Sequence, residues 1–228
     1  MHAAFGRGVR SGYGALRGMR NLSGAVLLTM TAAHAETVTI AALGDSLTAG
    51  YGLDQAQGFV PQLETWMRDQ GADVTIVNAG VSGDTTAGGL SRVDWTLTPD
   101  VDAMIVALGG NDYLRGLDPA VSRANLDAIL AAGQEAGVDM LLVGLAVGTN
   151  YGPEYKRDFE GMYVDLAAEY GIPLYPDMFA ALRAEGETQS AMRQFMQADG
   201  IHPSAEGVQM IVAAIGPMVL DVIVGVTQ

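Results

Sequence analysis

The feature that most restricts the fold of this chain is an alternation of short apolar runs with longer segments of helical spacing. The runs "TVTIAAL" at residues 37–43 and "VDAMIVALGG" at residues 101–110 are apolar along most of their length. Strands of this kind are buried on both faces, which is typical of parallel sheets covered by helices. We therefore predict a three-layer α/β fold, with strands at residues 37–43, 73–80, 101–110, 139–147 and 172–179.

The helical segments carry recognisable start and stop signals. Asp118 and Pro119 are suited to the N-cap and the first position of one helix, and Ser204 is suited to the N-cap of another. Gly71 is placed to end a third helix. The fifth strand contains two prolines, which predict an edge position or a strand end. The predicted helices span residues 59–71, 87–97, 118–137, 152–171 and 204–223.

The composition narrows the classes of function. The chain of 228 residues has a formal net charge of −14, from 26 acidic and 12 basic side chains. Such a surface repels nucleic-acid phosphates and anionic lipid, so neither is expected as a partner. The absence of cysteine excludes disulfides, thiolate metal sites and a cysteine nucleophile. No linker-like segment divides the chain after residue 35, and we predict one domain at residues 36–228.

Residues 1–35 differ from the rest of the chain. They contain arginines and no acidic residue, and they include the apolar run "SGAVLLTMTAAHA". A basic start, a short apolar run and small residues before the cleavage point are typical of a secretory signal peptide. The alternative is a buried N-terminal helix. We predict a signal peptide at residues 1–35 that is cleaved after Ala35, a periplasmic or secreted protein, and no stable membrane insertion after cleavage. His202 is the one histidine that remains after this cleavage.

Polar segments follow the predicted strands at the edge where parallel α/β sheets form their sites. Ser46 follows the first strand, Gly83 follows the second, and Asn111 follows the third. Asp199 and His202 precede the last helix. His202 can take the proton of the Ser46 hydroxyl, and Asp199 can hold the imidazole in the required tautomer. The Ser46 amide, the Gly83 amide and the Asn111 side chain can stabilise an oxyanion, which completes a set for acyl transfer.

Each of these residues also has a simpler interpretation. Ser46 could only cap the helix that follows, since serine is a common N-cap. Gly83 could only supply a positive φ in a turn, and Asn111 with Asp112 could form an Asx turn. A transition-metal site is disfavoured by the lack of thiols and the single remaining histidine. Three loop carboxylates could bind another cation or be solvated: Asp45, Asp84 and Asp112.

Together the segments "GDSLTAGYG", "NAGVSGDTT", "GGNDYLRG" and "DGIHPSAEG" resemble the SGNH hydrolases, also called the GDSL esterase/lipase family. The resemblance covers residues 36–228 and is greatest to the periplasmic thioesterase, lysophospholipase and arylesterase group. It implies a flavodoxin-like sheet of five parallel strands. It also implies hydrolysis of a small-molecule ester, lysolipid or thioester through an acyl-serine, without a cofactor or metal. The residues that it assigns are the catalytic Ser46, Asp199 and His202 and the oxyanion-hole residues Ser46, Gly83 and Asn111.

In this group of the family, the loop after the oxyanion asparagine borders the acyl pocket. The resemblance therefore implies substrate contacts by Asp112, Tyr113, Leu114 and Tyr151. Tyr113 is bulky where a small residue is expected, so we expect it to narrow or reshape that pocket. Ser46 is not in a Gly-x-Ser-x-Gly elbow, so the α/β-hydrolase fold is not predicted. Two other functions stay open, a carbohydrate O-deacetylase of the same fold and a non-catalytic flavodoxin-like binding module.

Overall fold

The structure of the protein is a computed structural model that describes residues 37–184 and 192–226. The predicted signal peptide at residues 1–35 lies outside the described residues. Within the described part, strands and helices alternate along the chain. A single parallel sheet is covered by helices on both faces, so the predicted three-layer α/β fold is confirmed.

The described strands are β1 (Val38–Gly44), β2 (Val74–Gly80), β3 (Ala103–Ala107), β4 (Asp139–Val143) and β5 (Leu174–Tyr175). They form a five-stranded parallel sheet in the order β2-β1-β3-β4-β5. This is the flavodoxin-like order, in which a crevice forms between the ends of β1 and β3. Gly44 pairs with Gly80 and Ala107, so the ends of these three strands lie at one edge. Pro173 and Pro176 flank β5, which lies at the sheet edge as predicted.

The described helices are α1 (Ser46–Ala49), α2 (Phe59–Asp69), α3 (Thr86–Leu90), α4 (Val93–Thr96), α5 (Gly110–Leu114), α6 (Pro119–Ala136), α7 (Pro153–Tyr170), α8 (Ala180–Ala184) and α9 (Ala205–Val226), with a 3₁₀ turn at Gln55–Gln57. On one face of the sheet, Leu63 of α2 and Ile215 of α9 pack in a core with Ile40 of β1. On the other face, Leu126 of α6 packs with Leu43 of β1. Burial on both faces explains why the central strands are apolar at successive positions.

The predicted helix caps are present. The Asp118 side chain accepts a hydrogen bond from the Ala120 backbone N–H at 2.9 Å, and Pro119 is the first residue of α6. The Ser204 hydroxyl accepts one from the Gly207 backbone N–H at 3.2 Å, just before α9 begins. Each side chain satisfies a backbone donor that has no partner inside its helix.

The structure differs from the prediction in the burial of one strand and in several boundaries. The strand β2 is not buried on both faces: its residues alternate between buried and exposed because it lies at the sheet edge, where Val77 is exposed. β3 ends at Ala107 and β4 at Val143, because the following segments leave the sheet and form the site. The single helix predicted at 87–97 is two helices, α3 and α4. Arg92 separates them with a non-helical backbone while its side chain pairs with Asp84.

One described helical segment, Ala205–Val224, is long and apolar enough to span a membrane by length and composition alone. Val208, Ile211 and Ile215 of this segment are buried in the core together with α2 and the sheet. A core helix passes the same test of length and composition. Packing within the domain therefore accounts for the apolar face of α9.

Candidate active site

Ser46 follows β1 after one residue and is the first residue of α1. Asp45 precedes it and caps the helix, because its Oδ1 accepts a hydrogen bond from the Leu47 backbone N–H at 3.0 Å. The N-cap role that the sequence left open for Ser46 therefore belongs to Asp45. A Cβ at Gly44 would lie 2.0 Å from Oγ1 of Thr48, so glycine allows α1 to begin this close to the strand.

The structure brings Ser46, His202 and Asp199 into one series of hydrogen bonds. Ser46 Oγ lies 2.9 Å from His202 Nε2, and His202 Nδ1 lies 2.7 Å from Asp199 Oδ2. The hydrogen bond from His202, together with two backbone N–H donors, lowers the pKa of Asp199 to about 2. The ionised carboxylate accepts from Nδ1–H, which leaves Nε2 as the acceptor for the Ser46 hydroxyl.

Gln197 joins the segment that carries His202 to the segment that follows Ser46. Its side-chain Nε2 donates to the Tyr51 carbonyl at 2.8 Å and to the Pro203 carbonyl at 3.0 Å. Its backbone N–H donates to the His202 carbonyl at 2.7 Å. The Tyr51 ring packs against the His202 imidazole, with ring centroids 4.6 Å apart. Sequence reasoning missed Gln197 and Tyr51, because their contact joins segments 146 residues apart.

The predicted oxyanion donors lie around the same cleft. Gly83 follows β2 with φ +87°, and Asn111 is the second residue of α5. The positive φ considered for Gly83 is therefore present, and a helical turn replaces the Asx turn considered for Asn111. The Asn111 side-chain Nδ2 donates to Asp45 Oδ2 at 3.3 Å. Ser46, Gly83 and Asn111 all line the cleft, so the three groups can face one bound molecule.

The three loop carboxylates considered as a cation site have separate partners. Burial raises the pKa of Asp45 to about 6, against the opposing effect of its hydrogen bonds. Asp84 pairs with Arg92 at 2.7 Å, and Arg92 also donates to carbonyls at the ends of β1 and β2. Asp112 is bonded to hydroxyl groups inside the protein. Across residues 37–184 and 192–226, no group of three or more His, Asp or Glu residues could hold a metal ion.

Asp112 does not occupy the substrate-contacting position expected from the sequence. Its carboxylate is 1% exposed and does not line the cleft. It accepts hydrogen bonds from the Thr86 backbone N–H at 2.8 Å, the Thr86 hydroxyl at 2.6 Å and the Ser122 hydroxyl at 2.9 Å. Asp112 therefore fastens α5 to α3 and α6, and its contribution to the site is to hold the helix that carries Asn111.

The cleft has a volume of about 420 Å³ and a mainly apolar lining. Tyr113 and Leu114, which the sequence predicts as substrate contacts, line it. Tyr151 lies behind Tyr113, with ring centroids 5.8 Å apart in an edge-on arrangement, and is outside the described lining. The rest of the apolar lining includes Leu145, Val147, Phe179, Met192, Met196 and Ile201. The site therefore joins an apolar cleft to a polar edge that carries Ser46.

The protein combines a parallel α/β sheet with a Ser–His–Asp series of hydrogen bonds and with amide donors at the carboxyl edge of the sheet. This combination is typical of serine hydrolases that transfer acyl groups. The sequence matches the GDSL-like Lipase/Acylhydrolase family over residues 42–210. The chain belongs to this family, which confirms the resemblance to the SGNH/GDSL hydrolases, and it is a GDSL-type ester hydrolase.

The names of several similar proteins agree with this family. Esterase TesA of Pseudomonas aeruginosa is 39% identical over 184 residues, which cover 80% of this chain and 88% of that protein. Thioesterase 1/protease 1/lysophospholipase L1 of Escherichia coli K12 is 37% identical over 183 residues, which cover 79% and 82%. The crystal structure of AlinE4, an SGNH-hydrolase family esterase, is 42% identical with a TM-score of 0.66 and matches 82% of this chain and 96% of that one.

Proposed function

We propose that Ser46 is the nucleophile of this ester hydrolase, with His202 as its general base and Asp199 as the group that orients the imidazole. The observation that carries the proposal is the series of hydrogen bonds of 2.9 Å and 2.7 Å through these residues. Ser46 Oγ attacks the acyl carbon while His202 Nε2 takes its proton. His202 then donates this proton to the leaving oxygen, the ester bond breaks, and an acyl-serine remains.

Water completes the reaction on the same groups. A water molecule attacks the acyl carbon while His202 accepts one of its protons, and that proton returns to Ser46 Oγ as the acid leaves. Both halves pass through a tetrahedral oxyanion, which we assign to the Ser46 N–H, the Gly83 N–H and the Asn111 amide. The Ser46 N–H belongs to the first turn of α1, where backbone donors have no intrahelical partner. One Asn111 hydrogen is held by Asp45, which leaves the other for the oxyanion.

The acyl part of the substrate is proposed to lie in the apolar cleft. Its volume of about 420 Å³ lies toward the lower end of the ~300–1,000 Å³ found for small-molecule sites. Relatives that are named arylesterase, thioesterase and lysophospholipase support aryl esters, thioesters and lysolipids as candidate substrates. The apolar lining favours these over the carbohydrate O-deacetylase alternative, since an acetyl group needs little apolar surface.

Export is proposed on the basis of residues 1–35. Their basic start and short apolar run support a signal peptide that is cleaved after Ala35, and therefore a periplasmic or secreted enzyme. The acidic surface supports a substrate that is neither nucleic acid nor an anionic membrane. Mass spectrometry of protein made in a Gram-negative host should give Glu36 as the first residue. An intact N-terminus in the exported fraction would contradict cleavage.

Hydrolysis of p-nitrophenyl butyrate by wild type and by Ser46→Ala tests the proposal directly. We expect Ser46→Ala to lower kcat by about 10⁴-fold or more, because loss of a nucleophilic serine removes the acyl-enzyme route. Ser91→Ala is the matched control, since the exposed Ser91 donates to the Gly88 carbonyl outside the cleft and should leave kcat unchanged. Equal kcat for the Ser46→Ala variant and wild type would overturn the proposal.

A further inference from the structure

Arg92 lies between α3 and α4, and its guanidinium group contacts the carboxyl ends of two strands. Its Nη1 donates to the Ala79 carbonyl of β2 at 2.6 Å, and its Nη2 donates to the Gly44 carbonyl of β1 at 2.8 Å. Its Nε donates to Asp84 Oδ2 at 2.7 Å, in the segment that follows β2. One side chain therefore joins three acceptors through the fixed, planar geometry of a guanidinium group, which the compact ammonium group of a lysine does not have.

These acceptors lie next to two of the proposed oxyanion donors. Gly44 is two residues before Ser46, and Asp84 directly follows Gly83. The Gly44 carbonyl also accepts a hydrogen bond from the Val81 backbone N–H at 3.1 Å. The guanidinium group therefore connects the start of α1, which carries the Ser46 N–H, with the segment that carries the Gly83 N–H.

The segment that carries Gly83 lies beyond the end of β2. The Asp84 backbone N–H closes a turn by donating to the Val81 carbonyl at 3.1 Å, and the Gly83 carbonyl accepts from Arg115 Nη2 at 2.8 Å. In the described part of the chain, no group accepts a hydrogen bond from the Gly83 N–H. The direction of this donor therefore depends on the turn and on the two arginine side chains that hold it.

The ion pair between Arg92 and Asp84 is partly shielded from solvent. The two side chains are 21% and 19% exposed, so the pair is screened less than an exposed one. A Cβ at Gly88 would lie 2.6 Å from Asp84 Oδ1, so glycine leaves room for the carboxylate at this position. Arg92 is outside the described lining of the cleft. Its effect on the reaction therefore passes through the groups that it holds.

We propose that Arg92 is a positioning residue of the oxyanion hole, which fixes the Ser46 N–H and the Gly83 N–H relative to each other. It does so through the Gly44 carbonyl on one side and the Asp84 carboxylate on the other. This inference rests on the proposed function, in which the two amides bind the oxyanion. Because the oxyanion forms only along the reaction path, loss of Arg92 weakens binding of the transition state more than binding of the ester.

Arg92→Lys tests the inference, because it keeps the positive charge and loses the directed hydrogen bonds of the guanidinium group. We expect kcat for p-nitrophenyl butyrate to fall about ten- to a hundredfold with little change in KM, since a misplacement of about 1 Å costs up to about 10²-fold. Steady-state kinetics measures both constants. Titration of the active site with a fluorophosphonate corrects kcat for the fraction of active enzyme.

Inhibition by propyl trifluoromethyl ketone gives a second readout, because its adduct resembles the tetrahedral intermediate. Ser46 Oγ bonds to the carbonyl carbon, the serine proton moves to His202, and the carbonyl oxygen becomes an oxyanion. The inhibition constant of this ketone should rise in Arg92→Lys by about the factor by which kcat falls. A role of Arg92 in stability alone would leave both values unchanged in folded enzyme.

Arg123→Lys is the matched control. Arg123 pairs with Glu169 outside the described lining of the cleft, so the same chemical change there should leave kcat and the ketone inhibition constant at their wild-type values. Asp84→Asn removes the other charge of the proposed contact and should lower kcat and ketone affinity. The double variant Arg92→Lys/Asp84→Asn should lose less than the product of the two single losses, because the two residues act through one contact.

Circular dichroism confirms folding of every variant before the constants are compared. A folded Arg92→Lys enzyme with the wild-type kcat and ketone affinity would overturn the inference and leave the proposed function intact. A lowered kcat with unchanged ketone affinity would also overturn it, since the effect would then lie outside the oxyanion hole. If Arg92→Lys fails to fold, Asp84→Asn decides by the same two measurements. If folded wild type neither hydrolyses the ester nor binds the ketone, the proposed function fails and the inference falls with it.

Discussion

Asp45 and Asn111 are joined by a hydrogen bond of 3.3 Å from the Asn111 side-chain Nδ2 to Asp45 Oδ2. The other oxygen of the same carboxylate caps α1 through the Leu47 backbone N–H. One buried carboxylate thus connects the helix that begins at Ser46 with the helix that carries Asn111. The nucleophile and the proposed oxyanion donor are positioned relative to each other by a residue that carries out no bond-making step.

Asp45→Asn separates these two contacts. Asparagine keeps an oxygen for the Leu47 cap but presents an NH₂ group where Asn111 needs an acceptor. We expect kcat for p-nitrophenyl butyrate to fall by about tenfold, less than the ~10²–10³ of a lost oxyanion donor, with little change in KM. Steady-state kinetics measures both constants. An unchanged kcat would mean that Asn111 is positioned without Asp45.

Asp45 also predicts a pH dependence of stability. Burial raises its pKa to about 6 from 3.8, so between these values the folded protein holds a proton that the unfolded chain lacks. The contribution of this carboxyl to the free energy of unfolding therefore rises as pH falls from about 7 to about 4. Wild type should gain about 2 kcal/mol over Asp45→Asn between pH 7 and pH 4, which is most of the free energy that corresponds to this pKa shift.

Urea denaturation of wild type and Asp45→Asn at pH 7 and pH 4 measures this difference. The lowered pKa of Asp199 has the opposite effect on stability. The Asp199 carboxylate stabilises the folded protein at pH values above the pKa that it has in the unfolded chain, and this stabilisation is lost as pH falls toward about 2. Asp199 is present in both proteins, so its contribution cancels in the comparison. A difference that does not change with pH would contradict the account of Asp45.

Asn111→Ala tests the proposed oxyanion hole. Removal of one donor should lower kcat by about 10²–10³ while KM changes little, because the oxyanion forms only along the reaction path. Asn78→Ala is the matched control, since Asn78 is exposed and outside the described cleft lining. If both variants kept the wild-type kcat, Asn111 would have no part in stabilising the transition state.

Gln197 is expected to matter although it does not line the cleft. Its Nε2 donates to the Tyr51 carbonyl, in the segment that follows Ser46, and to the carbonyl of Pro203, the residue after His202. Both Gln197→Ala and Gln197→Glu lack this donor and should lower kcat about ten- to a hundredfold by misplacing His202, with a smaller effect on KM. A Gln197→Glu enzyme with the wild-type kcat would show that the donor is unnecessary.

The sequence predicts the framework of the protein well, because the framework depends on local patterns. Apolar runs mark all five strands, and two prolines mark β5 as an edge strand. Because the ends of parallel strands meet at one edge, the segments that carry Ser46, Gly83 and Asn111 could be placed together without a structure. Ser46, Gly83 and Asn111 all line the cleft, which agrees with that placement.

The features that the sequence did not reveal depend on distant contacts. Asp45 and Ser46 are both good N-caps by residue type, and only the structure distinguishes them. A loop carboxylate such as Asp112 looks solvated until Thr86 and Ser122 are seen to surround it. The helix α5 has five residues, which is too short for helical spacing of apolar residues to mark it.

The most direct test of the central claim is covalent labelling by a fluorophosphonate, followed by mass spectrometry of the intact protein and its peptides. The account predicts a single adduct on Ser46, absent from Ser46→Ala and formed much more slowly in His202→Ala, because the imidazole activates the hydroxyl. Undiminished labelling of the Ser46→Ala variant, or an adduct on another residue of wild type, would contradict the assignment of Ser46 as the nucleophile.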